Sequence, residues 1–281
     1  MNQFDQFQNA LLLETTSSNT FRVNPDDRYF VGKTPHGGYL NALMHKALVS
    51  SVPHSAAISS SIQYLDRIEA KDFILEVEVF KVSRGSSSGL VRLIQDDKIC
   101  TVFNAICSDF DHMKGYDGLE TRLPDIFKDV SRDKYKSLNY DNAPSFIHQL
   151  GFTVHPDHAW WDRDINEAEA EARCSSYMQM NGGIPDQFVL SFYVDVAPPV
   201  VSNKYGPLGW IPTYSLTTHI RQLPTTEILF ADFKATDINK GYFEQDCNIW
   251  DLNENLVASR DRKSTRLNSS HSSVSRMPSS A

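Results

Sequence analysis

A chain of 281 residues, 41% hydrophobic and 22% charged, has the apolar material for a sizeable core and more length than one average domain. No window approaches the roughly 18 apolar residues of a membrane span. The N-terminus is acidic and polar where a secretory signal needs a basic and then an apolar run, so an intracellular protein is expected, cytoplasmic with a peroxisomal location as the alternative. The net charge of −8 argues against a nucleic-acid partner. Cys100, Cys107, Cys174 and Cys247 form no CxxC pair and read as reduced core thiols rather than disulfides or metal ligands.

Residues 1 to 16 read as an amphipathic lead-in with Phe4, Phe7, Leu11 and Leu12 at helical spacing. Thr20 to Val31 reads as a strand broken by the turn Asn24-Pro25-Asp26-Asp27. The glycine pair Gly37-Gly38 then opens a helix, Gly38 to Val49. Its positions 39, 40, 43, 44, 47 and 48 form one apolar stripe, and Ser50, Ser51 and Pro53 end it. Four strands follow, Ile58 to Arg67, Phe73 to Ser83, Gly89 to Asp96 and Ile99 to Ser108, with turn-formers between them. One long helix before an antiparallel run predicts a sheet wrapped around that helix. Asp109 to Pro144, rich in Asp, Lys, Gly and Ser with one short helix near Leu123 to Tyr135, reads as a linker.

The first pattern then returns. Phe146 to Trp161 and Ala172 to Met180 read as strands, and Asn181-Gly182-Gly183-Ile184-Pro185 opens an apolar stretch, Phe188 to Val196, stopped by Pro198-Pro199. Thr213 to Arg221, Glu227 to Thr236, Tyr242 to Trp250 and Leu256 to Arg260 read as strands. Two copies of a helix followed by antiparallel strands predict an α+β protein with a duplicated domain: residues 1–112, a linker at 113–145, and a second unit at 146–260. Residues 261–281, with eight serines and no periodicity, are expected to be a disordered, non-native tail. They resemble the in-frame translation of a sequencing-library adapter. Without them the charge is −11, from 23 basic and 34 acidic residues.

The order of elements, with Gly-Gly-Tyr opening the first helix and a second half running Asp195 … Pro212-Thr213-Tyr214-Ser215-Leu216-Thr217 … Asn248-Ile249-Trp250-Asp251 … Leu256-Val257-Ala258-Ser259, resembles the acyl-CoA thioesterase II-like family over roughly residues 17 to 260. The resemblance implies a double hotdog, two curved antiparallel sheets each wrapped around one long helix. It implies hydrolysis of fatty acyl-CoA to free acid and CoA by activated water, without a cofactor. The family site uses an aspartate from the second helix, a Ser or Thr at the start of the next strand, and a glutamine in the last strand.

The aspartate matches Asp195. Between Val194 and Val196 and ahead of two prolines, its carboxylate is placed for burial and for polarising water, though a carboxylate there also suits capping of a turn. The hydroxyl matches Thr213, but Ser215 and Leu216 stand where the family has an acidic residue and often a histidine, and Thr217 and Thr218 lie close by. The glutamine falls at residue 261 or 262, where this chain has Asp261 and Arg262.

His36, Gly37 and Gly38 lie at a helix N-terminus, where backbone N–H groups can hold a developing oxyanion, although the glycines also suit close packing. An acidic protein binding an anionic CoA needs a local basic rim, and Lys81, Arg84 and Arg92, flanking the turn after the third strand, are the leading residues for it. His155-Pro156-Asp157-His158 has proline between its ligand atoms and no third partner, so no metal is expected. There is no Gly-x-Ser-x-Gly elbow and no phosphate loop. The competing readings are a non-catalytic acyl-thioester binder and a hotdog dehydratase, the latter depending on His36. Expected partners are acyl-CoA and further copies of the chain joined through the sheets.

Overall fold

The structure, a computed structural model, describes residues 1–118, 120–138, 143–162, 170–206 and 211–266, with the backbone alone at 262–266. The first half carries α1 (Gln3–Ala10), β1 (Glu14–Ser17), β2 (Thr20–Val23), a short ladder of β3 (Phe30–Val31) and β4 (Thr34–Pro35), α2 (Gly37–Val49), β5 (Ala56–Tyr64), β6 (Phe73–Val82), β7 (Ser87–Gln95) and β8 (Lys98–Ser108). Then come α3 (Ile126–Asp129), β9 (Lys136–Ser137), β10 (Gly151–Val154), β11 (Arg173–Gln179), α4 (Gln187–Tyr193), α5 (Ser202–Tyr205), β12 (Ser215–Ile220), β13 (Ile228–Asn239), β14 (Tyr242–Asp251) and β15 (Leu256–Arg266).

The strands form one continuous antiparallel sheet of 13, in the order β1-β2-β6-β7-β8-β5-β12-β15-β14-β13-β11-β10-β9. The expected pair of separate sheets is therefore a single sheet. The two runs meet where β5 pairs with β12, from Gln63 opposite Ser215 to Ser59 opposite His219. On either side of that seam the order is the same read outward: β5-β8-β7-β6-β2 and β12-β15-β14-β13-β11. The strand order of one half is thus repeated in the other.

α2 lies inside the curve with Tyr39, Leu40, Ala42, Leu43, Met44, Ala47 and Leu48 all buried, and even Asn41 and His45 hidden. A helix apolar over most of its girth is a core helix. The second helix departs from expectation. α4 is seven residues long, starting at its cap Asp186 and ending at Tyr193, and it packs against α2 rather than standing as an equal partner.

Phe146 to Trp161, expected as one strand, yields only the four residues of β10 between one-turn helices that begin after Pro144 and His155. Proline lacks the N–H that a ladder needs. Within the expected linker, Leu123, Phe127 and Tyr135 are buried against Tyr177, Phe230, Trp250 and Leu256, a second cluster apart from the main core. β15 runs to Arg266, six residues past its expected end at Arg260, because β14 is long enough to pair with it from Leu256 opposite Trp250 to Arg266 opposite Tyr242. The ordered start of the expected tail is thus part of the sheet, and 267–281 lie outside the described residues. Among the described residues no helix is long and apolar enough to cross a membrane.

Candidate functional site

The two helices cross at their small residues. A Cβ on Gly38 would sit 2.5 Å from the Phe192 carbonyl oxygen, and one on Gly37 would sit 2.6 Å from Asp195 Oδ2. Only glycine permits this approach, so the glycine pair serves helix-to-helix packing. Asn41 Nδ2 donates to the Ser191 carbonyl at 2.9 Å and continues the seam.

The seam brings Asp195, 5% exposed, against the start of α2. His36 caps that helix, its Nδ1 accepting the Gly38 N–H at 3.2 Å. In the neutral ring the proton is then on Nε2, which is turned to Asp195 Oδ2 at 3.9 Å. The His36 ring is held by Phe146, centroids 4.1 Å apart, and lies edge-on to Phe192. Tyr64 Oη donates to the Gly37 carbonyl at 2.7 Å, fixing the same end of α2 from β5. The result is a buried carboxylate and an imidazole N–H at the positive end of a helix, where negative charge is favoured.

Below Asp195 lies the inner face of three adjacent strands. Thr218 of β12, Arg260 of β15 and Cys247 of β14 stand in one cross-strand row. Arg260, 3% exposed, donates from Nε to the Val194 carbonyl at 2.7 Å and from Nη1 to the Gln245 carbonyl at 2.9 Å. Burial pushes the Cys247 thiol up, with Arg260 offsetting part of the shift and Asp195 adding to it. The Arg260 bond to Val194 thus ties the residue before Asp195 to this row.

Of the residues expected at the site, His36, Gly37, Gly38 and Asp195 are brought together. Thr213 is partly buried two residues before β12, next to Tyr214, whose carbonyl accepts the Tyr64 N–H at 2.9 Å. Thr218 is the hydroxyl buried beneath α4, 1% exposed, whereas Thr217 pairs with Asp261 on the alternate face. Residue 262 lies opposite Gln245 in the ladder, and its side chain is outside the described residues.

Lys81 and Arg84 are exposed at the β6–β7 turn. That turn is at the far end of α2, where Gly89 of β7 packs on Leu48, about 15 Å along the helix from Gly38. Arg92 faces solvent and is engaged by Glu78 at 2.6 Å. The structure does not bring these three to Asp195.

Other histidines are committed to the fold. His45 Nε2 accepts the Ala57 N–H at 2.7 Å, so its Nδ1–H donates to Ser191 Oγ at 2.8 Å, and Ser191 passes its own proton to the Gln187 carbonyl at 3.1 Å. A serine–histidine pair with the proton running this way holds two helices together and activates nothing. Burial pushes the His45 pKa down to about 3. His155 Nδ1 and His158 Nδ1 each accept a backbone N–H, from Asp157 and Ser175. Among the described residues no group of three or more His, Cys, Asp or Glu is placed to hold a metal.

Tyr64, Gln245 and Arg260 are neighbours of the site that pattern reading passed over, while Thr218 stands out in the sequence only as lying close to Thr213. A signal existed for Gln245, which has the parity of Phe243, Cys247 and Ile249 in an alternating strand.

Comparison with known proteins bears on this arrangement. The family model for the acyl-CoA thioesterase N-terminal domain matches residues 25–108, and that for the acyl-CoA thioesterase C-terminal domain matches residues 124–260. Among solved structures, a candidate thioesterase II from Thermobifida fusca YX superimposes with a TM-score of 0.80 at 21% identity, covering 94% of this chain and 97% of that one. A hot dog protein of unknown function from Alicyclobacillus acidocaldarius gives 0.80 at 18%, covering 94% and 98%. The acyl-CoA thioesterase II TesB2 of Mycobacterium marinum gives 0.71 at 13%, covering 97% and 100%. No curated protein matches. At these identities the superpositions speak for the hotdog fold, while the two domain models, matched in order on either side of the β5–β12 seam, place this chain in the acyl-CoA thioesterase family.

Proposed function

We propose that this chain hydrolyses a fatty acyl-CoA thioester by direct attack of water at Asp195. The observation that supports this reading is the buried Asp195 carboxylate facing the N-terminus of α2, with His36 Nε2 at 3.9 Å. The Asp195 carboxylate takes a proton from water as its oxygen bonds to the thioester carbon. The carbonyl oxygen, now negative, lies against the start of α2, where backbone dipoles stabilise it. The C–S bond then breaks, the CoA sulfur leaves with the proton from Asp195, and the acid is released. Thr213 helps to orient the water, and the last-strand glutamine of related chains would do so at residue 262.

The test is CoA release from a panel of acyl-CoA esters. Asp195→Asn should lower turnover about a hundredfold. It should leave the affinity for S-(2-oxoalkyl)-CoA, a ketone analogue that cannot be hydrolysed, within a few fold. Arg262→Gln should raise the rate. A fully active Asp195→Asn would overturn the assignment of the site. A wild type that binds the analogue but hydrolyses no ester would leave the binding-module reading standing.

A further inference from the structure

Gln245 is an unexpected residue to find where it is. It is 0% exposed, and among the described residues neither its Oε1 nor its Nε2 has a hydrogen-bond partner. A buried polar atom left without a partner keeps the full cost of losing its water. A carboxamide has two donors and an acceptor to satisfy. Its neighbours of the same parity on β14, Phe243, Cys247 and Ile249, show that an apolar side chain suits this face. A methionine of similar volume would be the more stable choice, so the carboxamide invites a role outside folding.

Its position says which one. The Gln245 backbone is tied through the Arg260 guanidinium to Val194, the residue before Asp195. Cys247, two residues on and on the same face, stands opposite that same Arg260. One row away and two strands over, Thr218 Oγ1, 1% exposed, is a second buried polar atom without a partner among the described residues. Two enclosed polar side chains on the inner face of the sheet, on β12 and β14 with β15 between them, offer hydrogen-bonding atoms to a bound group.

We propose that the Gln245 carboxamide contacts the thioester group of the bound substrate, Nε2–H donating to the carbonyl oxygen and Oε1 accepting from the attacking water. This contact rests on the thioester reading of the site. It makes Gln245 a catalytic residue of this chain, on the strand next to the one that carries the family glutamine. It opposes the carbonyl's developing charge from the sheet side, while α2 opposes it from the helix side.

Gln245→Met and Gln245→Glu test the contact. Turnover of acyl-CoA should fall between about tenfold and a hundredfold in Gln245→Met, with KM within about threefold. Its melting temperature should be unchanged or raised, because an unpartnered amide has been removed. The carbonyl stretch of bound S-(2-oxoalkyl)-CoA, labelled with carbon-13 at the ketone, should be shifted down in the wild type and return toward its apolar-solvent value in Gln245→Met. Unchanged turnover with an unmoved band would overturn the proposal, as would a variant that changes only the melting temperature. If Gln245→Met fails to fold, Gln245→Glu, which keeps the size and loses the donor once its carboxyl is ionised, decides it by the same band read at a pH where that carboxyl is charged. A wild type that binds the analogue without hydrolysing esters removes the hydrolase reading alone, and the band still judges the contact. A wild type that binds no analogue overturns both.

Discussion

His45 and Asp195 are buried at the same helix seam. Both His45 ring nitrogens are consumed, one by the Ala57 N–H and one by Ser191 Oγ, in a site without room for a charged ring. Its pKa is near 3 when folded against about 6.5 when unfolded. Below 6.5 the unfolded chain takes up a proton that the folded one refuses. This group's contribution is therefore complete above 6.5 and declines as pH drops toward 3, by up to about 1.4 kcal/mol per pH unit. Urea unfolding should show about 2 kcal/mol lost to this residue between pH 6.5 and pH 5. His45→Gln, less stable at neutral pH, should show a flatter dependence over that interval, and an equal slope would mean the ring is not held neutral. Asp195 could be singled out in the sequence through the family resemblance, its flanking valines and following prolines pointing only to burial or to capping of a turn. His45 could not be separated from the apolar stripe of α2, because a histidine with both nitrogens bonded inside a helix seam looks like any other residue at that spacing.

At the level of elements, the apolar stripe of α2 and the period-two strands β5 to β8 were readable to within a few residues. Their burial alternates as one-sided packing demands, as in β7, where odd positions from Ser87 to Gln95 are buried. α4 was legible as an apolar run but not as a seven-residue helix, since its length is set by the Asp186 cap and by the turn that delivers Asp195. The glycine pair was legible as a helix start, while its use as the contact surface for α4 depends on a partner some 150 residues away. That contact gives a sharp expectation. Gly38→Ala must push Phe192 and Asp195 back, and overpacking of this kind costs about 1–3 kcal/mol. Thermal unfolding should register that loss and acyl-CoA turnover should fall with it. Gly85→Ala, which meets nothing within 4 Å, serves as the matched control and should change neither.

For the molecule as a whole, the repeat was readable and the single sheet was not. Both halves show the same alternation, and nothing in either says that β5 will pair with β12 instead of remaining an edge. Composition also misjudged the region after Arg260. Serine and basic content argues for disorder, yet a strand on offer from β14 pairs with residues of ordinary polarity through Arg266. Chains ending at residue 260 and at residue 266 should therefore differ. The shorter one loses the ladder from Asp246 opposite Asp261 to Tyr242 opposite Arg266, together with Thr217 opposite Asp261. It should melt several degrees lower, and equal melting temperatures would show that these pairs add nothing.

The order of strands carries one more consequence, for how copies of the chain meet. Among the described residues the sheet of 13 has two borders, and the border of a sheet presents backbone groups that can recruit another molecule into an endless ribbon. Here the borders are its weakest strands for that purpose. β1 has four residues, all exposed, beginning with Glu14, and β9 is only Lys136 and Ser137. A newcomer would gain a ladder of two to four residues, beside a charge at either border, too little to propagate. The long strands, which would template fibre growth efficiently, are enclosed in the interior of the order, so crowding should drive copies together face to face before it zips them edge to edge.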